Sequence, residues 1–318
     1  MILVTGASGF IGTALCKRLV NEKISVRGVG RSQSLLIDCI DYISYDLEHA
    51  GDIDYLCQGV DTIIHLAGRA HVLKETSVDP IAAFKSANLE LTMRLAKAAL
   101  RQGVRRFIFL SSIGVNANET VGQPLTEDSP CEPIRLYGYS KLEAERALVD
   151  LTKASGMELV IVRPPLVYDG DAPGNFKRLM TVILKGIPLP FLTVHNSRSM
   201  IARDNLIDFL ICCVNHPRAA NQVFLVSDGI DLSLPQIISC LAQGMGVSPK
   251  LFPFPTSILR VALACLGKKE MYSQLCSSLS IDSGKSRAIL EWTPPVQVTE
   301  ALINAGRHFA RANNDKCE

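Results

Sequence analysis

The sequence predicts an α/β protein: a doubly wound parallel sheet with helices on both faces and a smaller C-terminal lobe. Three observations carry that reading. Short β-branched runs alternate with helical segments over the first half of the chain. The first such run, Ile2-Leu3-Val4, feeds directly into the glycine-rich turn Thr5-Gly6-Ala7-Ser8-Gly9-Phe10-Ile11-Gly12. After Arg163-Pro164-Pro165 the alternation stops, and Pro173, Gly174, Gly186, Pro188 and Pro190 interrupt the pattern. The expected units are a dinucleotide-binding domain over 1–165, completed by a strand returning near 200–227, and a substrate lobe formed mainly by 166–318.

Composition narrows the function classes. The 318 residues carry 33 Lys and Arg against 31 Asp and Glu, a net charge of +2. No basic stripe interleaved with aromatics occurs, which argues against nucleic acid. No long uncharged apolar run occurs, which argues against a membrane span. The apolar stretch Ser257 to Gly267 contains Arg260 and reads as a packed helix, with contact to a membrane surface as the alternative. The ten cysteines show no C-x-x-C pair, so no metal is expected. The initial Met is followed at once by core-type residues rather than a signal peptide, which predicts a cytoplasmic protein with reduced thiols.

Taken in order, strand Ile2–Thr5 leads through the glycines into a helix over Ile11–Asn21. Gly6 permits the tight turn, Gly9 leaves no side chain in the path of a pyrophosphate, and Gly12 lets the helix pack on the strand. With Ser8, Phe10 and Ile11 these form the expected phosphate-binding set, at a helix N-terminus whose free N–H groups suit an anion. The second strand, Ser25–Val29, ends in Gly30-Arg31-Ser32. An NAD site wants an acid there for the ribose 2′-OH, and none is present. Arg31 suits a 2′-phosphate instead, so NADPH is expected over NADH, with NAD as the alternative. The third strand, Tyr42–Tyr45, delivers Asp46 and Leu47 to the adenine edge. The fourth, Thr62–Leu66, ends in Leu66-Ala67-Gly68 beneath the cofactor, and His65 reads as a structural hydrogen-bonding residue. A long helix over Pro80–Gln102 carries Asn88, an uncomfortable polar residue at mid-helix, as either a holder of a water or carbonyl near the site or a plain surface residue. Gly103 and Gly156 are expected to end helices.

The catalytic candidates follow. Strand Arg106–Leu110 ends in Ser111 and Ser112, at the strand end where doubly wound sheets bind ligands. Tyr137-Gly138-Tyr139-Ser140-Lys141 opens a helix running over Lys141–Ala154. Four residues are about one turn, so Tyr137 and Lys141 share a face. A phenol with an ordinary pKa near 10 is a poor acid–base catalyst, and a neighbouring ammonium is expected to lower it. Ser112 would hydrogen-bond the substrate oxygen that meets Tyr137. Strand Leu159–Arg163 and a later strand, Gln222–Val226, complete the sheet.

The motif order T-G-x-x-G-F-x-G, H-L-A-G, S-S-x-x-V, Y-x-x-x-K, R-P-P-x-V-Y resembles the extended short-chain dehydrogenase/reductases that modify nucleotide sugars, over nearly the whole chain. The resemblance implies a Rossmann fold, a catalytic triad of Ser112, Tyr137 and Lys141, and Pro164 beside the cofactor. It further implies that Ser111, Asn175, Pro190 and Arg198 touch a UDP-sugar, with Arg198 on the diphosphate, and that the two helices near 80–102 and 141–154 form a homodimer interface. The terminal Leu290-Glu291-Trp292-Thr293-Pro294 is similar to the family's closing motif, and Trp292 reads as core. The wording is closest to a bacterial subgroup of UDP-glucose 4-epimerase-like proteins and 4-ketoreductases that make UDP-N-acetyl-quinovosamine or -fucosamine for surface polysaccharide such as O-antigen. Two departures from true 4-epimerases favour net reduction by NADPH: Ser112-Ile113-Gly114-Val115 lacks the usual tyrosine, and the strand-two acid is missing. The alternatives are a UDP-hexose 4-epimerase with bound NAD and, from another class, a non-catalytic NADP sensor.

Overall fold

A computed structural model describes residues 1–33, 35, 37–48, 51–69, 79–265, 267 and 269–314. Cys317 of the sequence lies outside them. The strands are β1 (Ile2–Thr5), β2 (Val26–Gly30), β3 (Asp41–Ser44), β4 (Thr62–His65), β5 (Arg106–Leu110), β6 (Glu158–Arg163), β7 (Leu166–Tyr168), β8 (Met200–Ala202) and β9 (Gln222–Leu225). The helices are α1 (Phe10–Asn21), α2 (Pro80–Lys85), α3 (Leu91–Arg101), α4 (Leu136–Lys153), α5 (Asn175–Leu184), α6 (Arg203–Asn215), α7 (Leu234–Met245), α8 (Thr256–Cys265), α9 (Lys269–Cys276), α10 (Gly284–Leu290) and α11 (Val298–Asn314).

The main sheet runs β3-β2-β1-β4-β5-β6-β9, and every pairing in it is parallel. Strands β1, β4 and β5 are buried along their whole length, as continuously apolar runs covered by helices on both faces must be. Strand order reverses between β1 and β4. Such sheets bind ligands at that crevice, past the carboxyl ends of the strands. One face of the sheet packs Leu15, Leu19, Phe209 and Trp292, and the other Leu95, Ala99 and Leu148. Trp292 is a core residue: its ring stands edge-on to Phe209 at 5.0 Å, and its Nε1–H donates to Asp208 at 2.8 Å. Truncating it to alanine should cost about 3–5 kcal/mol.

The short sheet β7-β8 lies beyond β6 and joins the lobe core, where Met180, Ile238, Leu241 and Leu302 meet. There α7 and α11 approach closely through facing glycines. A Cβ at Gly244 would stand 2.0 Å from the Ile303 carbonyl oxygen, and one at Gly306 would stand 2.3 Å from that of Leu241. Arg203 ties the lobe to the glycine turn. It lies 4.8 Å over the Phe10 ring and pairs with Asp169 and Asp171.

Several elements differ from the sequence expectation. The helix expected over 80–102 is broken by a wide π turn at Ser86–Glu90 between α2 and α3. Asp79 starts it by accepting from Ala82 N–H at 3.1 Å, with Pro80 in the first turn. The helix expected at Lys141 begins at Leu136, so Tyr137 is already helical. It ends at Lys153, and Gly156 lacks the left-handed backbone that Gly103 has at φ 72°. Gly12 packs on the turn rather than on the strand: its Cβ would stand 2.1 Å from the Gly6 carbonyl oxygen. The segment expected as a packed helix, Ser257 to Gly267, is α8. It buries Leu259 against the lobe and leaves Ile258 and Val261 exposed. Among the described residues no helix is long and apolar enough to cross a membrane.

Candidate active site

The site grows from the turns after β1 and β4. Gly6 holds φ 70°, and a Cβ there would stand 2.9 Å from Ala67 N, so the two turns touch backbone to backbone. Gly9 is the N-cap of α1, with no side-chain cap and no acid in the first turn. Because Thr13 N–H bonds to the Gly9 carbonyl at 3.0 Å, the N–H groups of Phe10, Ile11 and Gly12 precede the helical ladder. That leaves a positive helix end facing the crevice. A cleft of about 620 Å³ opens there, lined by Gly6, Ser8, Gly9, Arg31, Ser32, Asp46, Leu47, Leu66, Ala67 and Gly68. These backbone donors, the small residues and the length of the cleft fit a dinucleotide.

The end of β2 has its own constraint. A Cβ at Gly30 would stand 2.6 Å from Ser8 Oγ and 2.9 Å from Tyr42 Oη, so a larger residue at that position would require both side chains to move. Arg31 is exposed at the rim and makes no hydrogen bond or ion pair among the described residues. Asp46 accepts from Glu48 N–H at 3.0 Å, and the Leu47 carbonyl accepts from Arg94.

The three catalytic candidates converge at the ends of β4 and β5. Ser112 Oγ accepts from Gly114 N–H at 3.1 Å, and its hydroxyl acts on the Tyr137 phenol to favour the charged form. Lys141 is buried. Its Nζ donates to the Leu110 carbonyl at 2.9 Å and lies 4.5 Å from the centre of the Phe109 ring. A Cβ at Gly68 would stand 3.3 Å from Lys141 Nζ, so the lysine reaches the inner end of the cleft. The electrostatics differ from expectation. Burial pushes the Tyr137 phenol up to about 12, opposed only by Ser112; no lowering by Lys141 contributes. Burial brings the Lys141 ammonium down to about 8, opposed by the Glu145 carboxylate.

Asn88 is a buried linking residue rather than a surface one. Standing on the π turn, its Oδ1 accepts from Arg69 N–H at 2.7 Å. Its Nδ2 donates to the Arg69 carbonyl at 3.2 Å and to Ser140 Oγ at 2.8 Å. Ser140 Oγ in turn donates to the Tyr137 carbonyl at 2.9 Å. The turn after β4 is thereby tied to the first turn of α4. His65 sits beneath, fully buried between Thr5 (2.6 Å) and Thr92 (2.9 Å), and burial pulls its imidazole down to about 3. It stays neutral.

On the substrate side the arrangement is looser. Ser111, expected to touch the sugar, has its hydroxyl on Glu145 instead, in a buried cluster with Arg163 and Asn116. Asn175 opens α5 on the surface and contacts Gln274 and Arg178. Pro190 follows Leu189, which pairs with Leu251. Arg198 is half-buried and donates to the Ser277 carbonyl at 3.0 Å. Burial lowers its pKa, opposed by Cys276, and among the described residues no carboxylate pairs with it. Pro164 is buried and its carbonyl accepts from Ile113 N–H at 2.9 Å, holding the Ser112 segment against β6.

Sequence reading missed four residues that shape the site. A Cβ at Gly138 would stand 2.3 Å from the Gly114 carbonyl oxygen, so only glycine lets α4 meet the Ser112 segment. A glycine inside a helix costs about 1 kcal/mol, which was the available signal. Glu145 repeats the i, i+4 spacing of Tyr137 and Lys141, a legible signal of a shared face. Ser140 and Gly30 carried no such mark.

Residues 2–226 match the NAD dependent epimerase/dehydratase family. A UDP-glucose 4-epimerase of Vibrio cholerae is 37% identical over 98% of this chain and 96% of its own. An N-acetyl-alpha-D-glucosaminyl-diphospho-ditrans,octacis-undecaprenol 4-epimerase of Escherichia coli O157:H7 is 26% identical over 81% of this chain and 77% of its own. MoeE5, solved in complex with UDP-glucuronic acid and NAD, superposes with a TM-score of 0.80 at 22% identity, covering 98% of this chain and 99% of its own. UDP-glucuronic acid 4-epimerase from Bacillus cereus, solved with NAD, superposes at 0.79 and 23% identity, covering 98% and 96%. At these identities the solved structures establish a shared fold.

Proposed function

The chain belongs to the NAD dependent epimerase/dehydratase family, and from that premise we propose that it is an NADPH-dependent 4-ketoreductase acting on a UDP-4-keto-6-deoxy-N-acetylhexosamine. The observation that carries the direction of reaction is the end of β2, where Gly30 stands in place of an acid and Arg31 is uncommitted at the cleft rim among the described residues. That pattern suits a cofactor with a 2′-phosphate that is exchanged at each turnover.

When bound, the reduced nicotinamide supplies the hydride that converts the C4 carbonyl to an alcohol. The chain's own groups supply the rest. Tyr137 donates its phenolic proton to the oxygen at C4. A phenol held at about 12 is protonated at neutral pH, as a proton donor must be. Ser112, with its Oγ acceptor lone pair fixed by Gly114 N–H, donates toward the same oxygen. Lys141, while charged, stabilises the phenolate left behind. Arg198 receives the diphosphate. A desolvated guanidinium with a single carbonyl partner gains most from a dianionic ligand, and remote binding there orients the reacting carbon.

A second reading, a UDP-hexose 4-epimerase retaining NAD, is favoured by the names of the Vibrio cholerae and Escherichia coli relatives. One experiment separates the two. Purified protein is given NADPH and a UDP-4-keto-6-deoxy sugar, then UDP-glucose alone, with NMR of both products. Stoichiometric NADPH consumption on the keto sugar and no UDP-galactose supports the reductase. Interconversion of UDP-glucose and UDP-galactose without net consumption supports the epimerase and rejects the reductase. Tyr137→Phe should abolish turnover in either case and keep cofactor binding.

A further inference from the structure

The lobe carries an exposed apolar surface on α8. α8 turns Leu259 inward and presents Ile258 and Val261 outward, 54% and 59% exposed, with Ala264 and Cys265 exposed on the next turn. A surface helix ordinarily shows solvent a charged or polar face, and this one shows an apolar face. Two extended segments lead up to it side by side: Leu189 N–H bonds to the Lys250 carbonyl at 2.8 Å, Phe252 N–H to that of Leu189 at 3.1 Å, and Leu192 N–H to that of Phe252 at 3.3 Å. The pair buries Leu189 and leaves Ile187, Leu192 and Phe252 exposed.

The charge around this apolar patch is one-sided. Residues 172–203 and 232–269, which contain every residue named above, hold nine of the chain's 33 lysines and arginines and none of its 31 acids; of the nine, Arg203 is paired with Asp169 and Asp171 and Arg198 is half-buried, so neither belongs to this face. The rest of the chain is therefore net negative, although the whole is nearly balanced at +2. Lys185, Lys250 and Arg260 are exposed, and Lys250 Nζ would lie 3.6 Å from a Cβ at Gly186, beside Ile187. The geometry points to this face as a docking surface for an anionic phospholipid bilayer.

The charge selects that occupant. Whatever covers the patch must be apolar at its centre and negative at its rim, and the boundary between acyl chains and anionic headgroups is both. A second copy docking face to face would set the same cations against one another. Nucleic acid would satisfy the cations and leave Ile187, Leu192, Phe252, Ile258 and Val261 without an apolar partner.

The test is co-sedimentation of the full chain with phosphatidylcholine vesicles prepared with and without phosphatidylglycerol, at low and high salt. Expected is binding that needs phosphatidylglycerol and weakens with salt. Ile258→Asp with Val261→Asp should lose about tenfold or more in affinity, and Lys250→Gln about fivefold, each with unchanged melting and unchanged turnover of soluble substrate. Ile258→Ser with Val261→Ser provides the same reading should the aspartates unfold α8. Failure to bind anionic vesicles overturns the proposal. So does full binding by all patch variants, or a shift in sedimenting mass that the variants abolish, which would make the occupant a second copy.

Discussion

Glu145 lies one helical turn beyond Lys141 and closes a buried ion pair with Arg163 at 2.5 Å, so the charge that supports the Lys141 ammonium is itself held from the next strand. Lys141 sits at about 8 because burial outweighs Glu145. Only its charged form stabilises a phenolate, so turnover should decline as pH rises through about 8. Glu145→Gln removes the opposing charge, lowers the lysine further and moves that alkaline limb to lower pH. A pH–rate profile of both proteins checks the direction. Glu145→Ala should in addition cost about 3–5 kcal/mol of stability, because Arg163 is left buried without its partner. Chemical denaturation reads that loss.

Gly138→Ala should separate chemistry from binding. The new Cβ would meet the Gly114 carbonyl oxygen at 2.3 Å, forcing the first turn of α4 away from Ser112. A displacement near 1 Å in the reacting groups costs on the order of 10²-fold in rate. We expect kcat to fall by that amount while NADPH titration by fluorescence is unchanged. A variant with normal kcat would show that the contact does not set the Ser112–Tyr137 geometry.

Arg31→Ala should weaken NADPH by about tenfold, the loss of one charge-assisted contact of about 1.4 kcal/mol. NADH affinity should stay where it is, since no 2′-phosphate is involved. Parallel titrations of both cofactors against both proteins measure this. Wild-type protein that prefers NADH would remove the basis for the Arg31 assignment and strengthen the epimerase reading.

The buried thiols should make the fold sensitive to alkali. Burial pushes both Cys16 and Cys57 from 9.0 to about 12. Between those values the unfolded chain has released the two protons and the folded chain still binds them, so the unfolded state binds fewer and stability falls as pH rises. Each thiol contributes about 1.4 kcal/mol per pH unit in that window. Lys141 acts in the opposite sense between about 8 and 10.5, where the unfolded chain keeps a proton that the folded chain has lost. Two thiols outweigh one lysine above pH 9. Urea unfolding at successive pH values should show the decline, and Cys16→Ala with Cys57→Ala should reduce its slope, the remainder coming from Cys213, Cys276 and Tyr137, which burial also raises.

What could be read from the sequence was what local chemistry dictates. Continuous apolar runs such as Ile2-Leu3-Val4 and Thr62-Ile63-Ile64 announced buried parallel strands, and the glycine turn announced the crevice, because each depends on neighbouring residues alone. The spacing of Tyr137 and Lys141 was legible for the same reason. What depended on distant partners was not. Ser111 looked available until the fold brought Glu145 beside it. Gly30 looked like a missing acid, and only the fold shows that Ser8 and Tyr42 crowd the position. The phenol was expected to be lowered by its lysine, but burial acts on both groups and is the larger effect on each.

The wide turn at Ser86–Glu90 has a consequence for anyone regularising this helix. Its value is angular. One residue of slack offsets the face of α2 from that of α3, and Asn88 stands at the point where the offset is taken up. Winding the same residues between Phe84 and Leu91 as a regular α-helix, with none deleted, would give a straighter, better-bonded helix by every local measure. It would also swing one half about 100° around the axis relative to the other. Asn88 would then leave Arg69 and Ser140, and a more regular helix would yield a miswired enzyme.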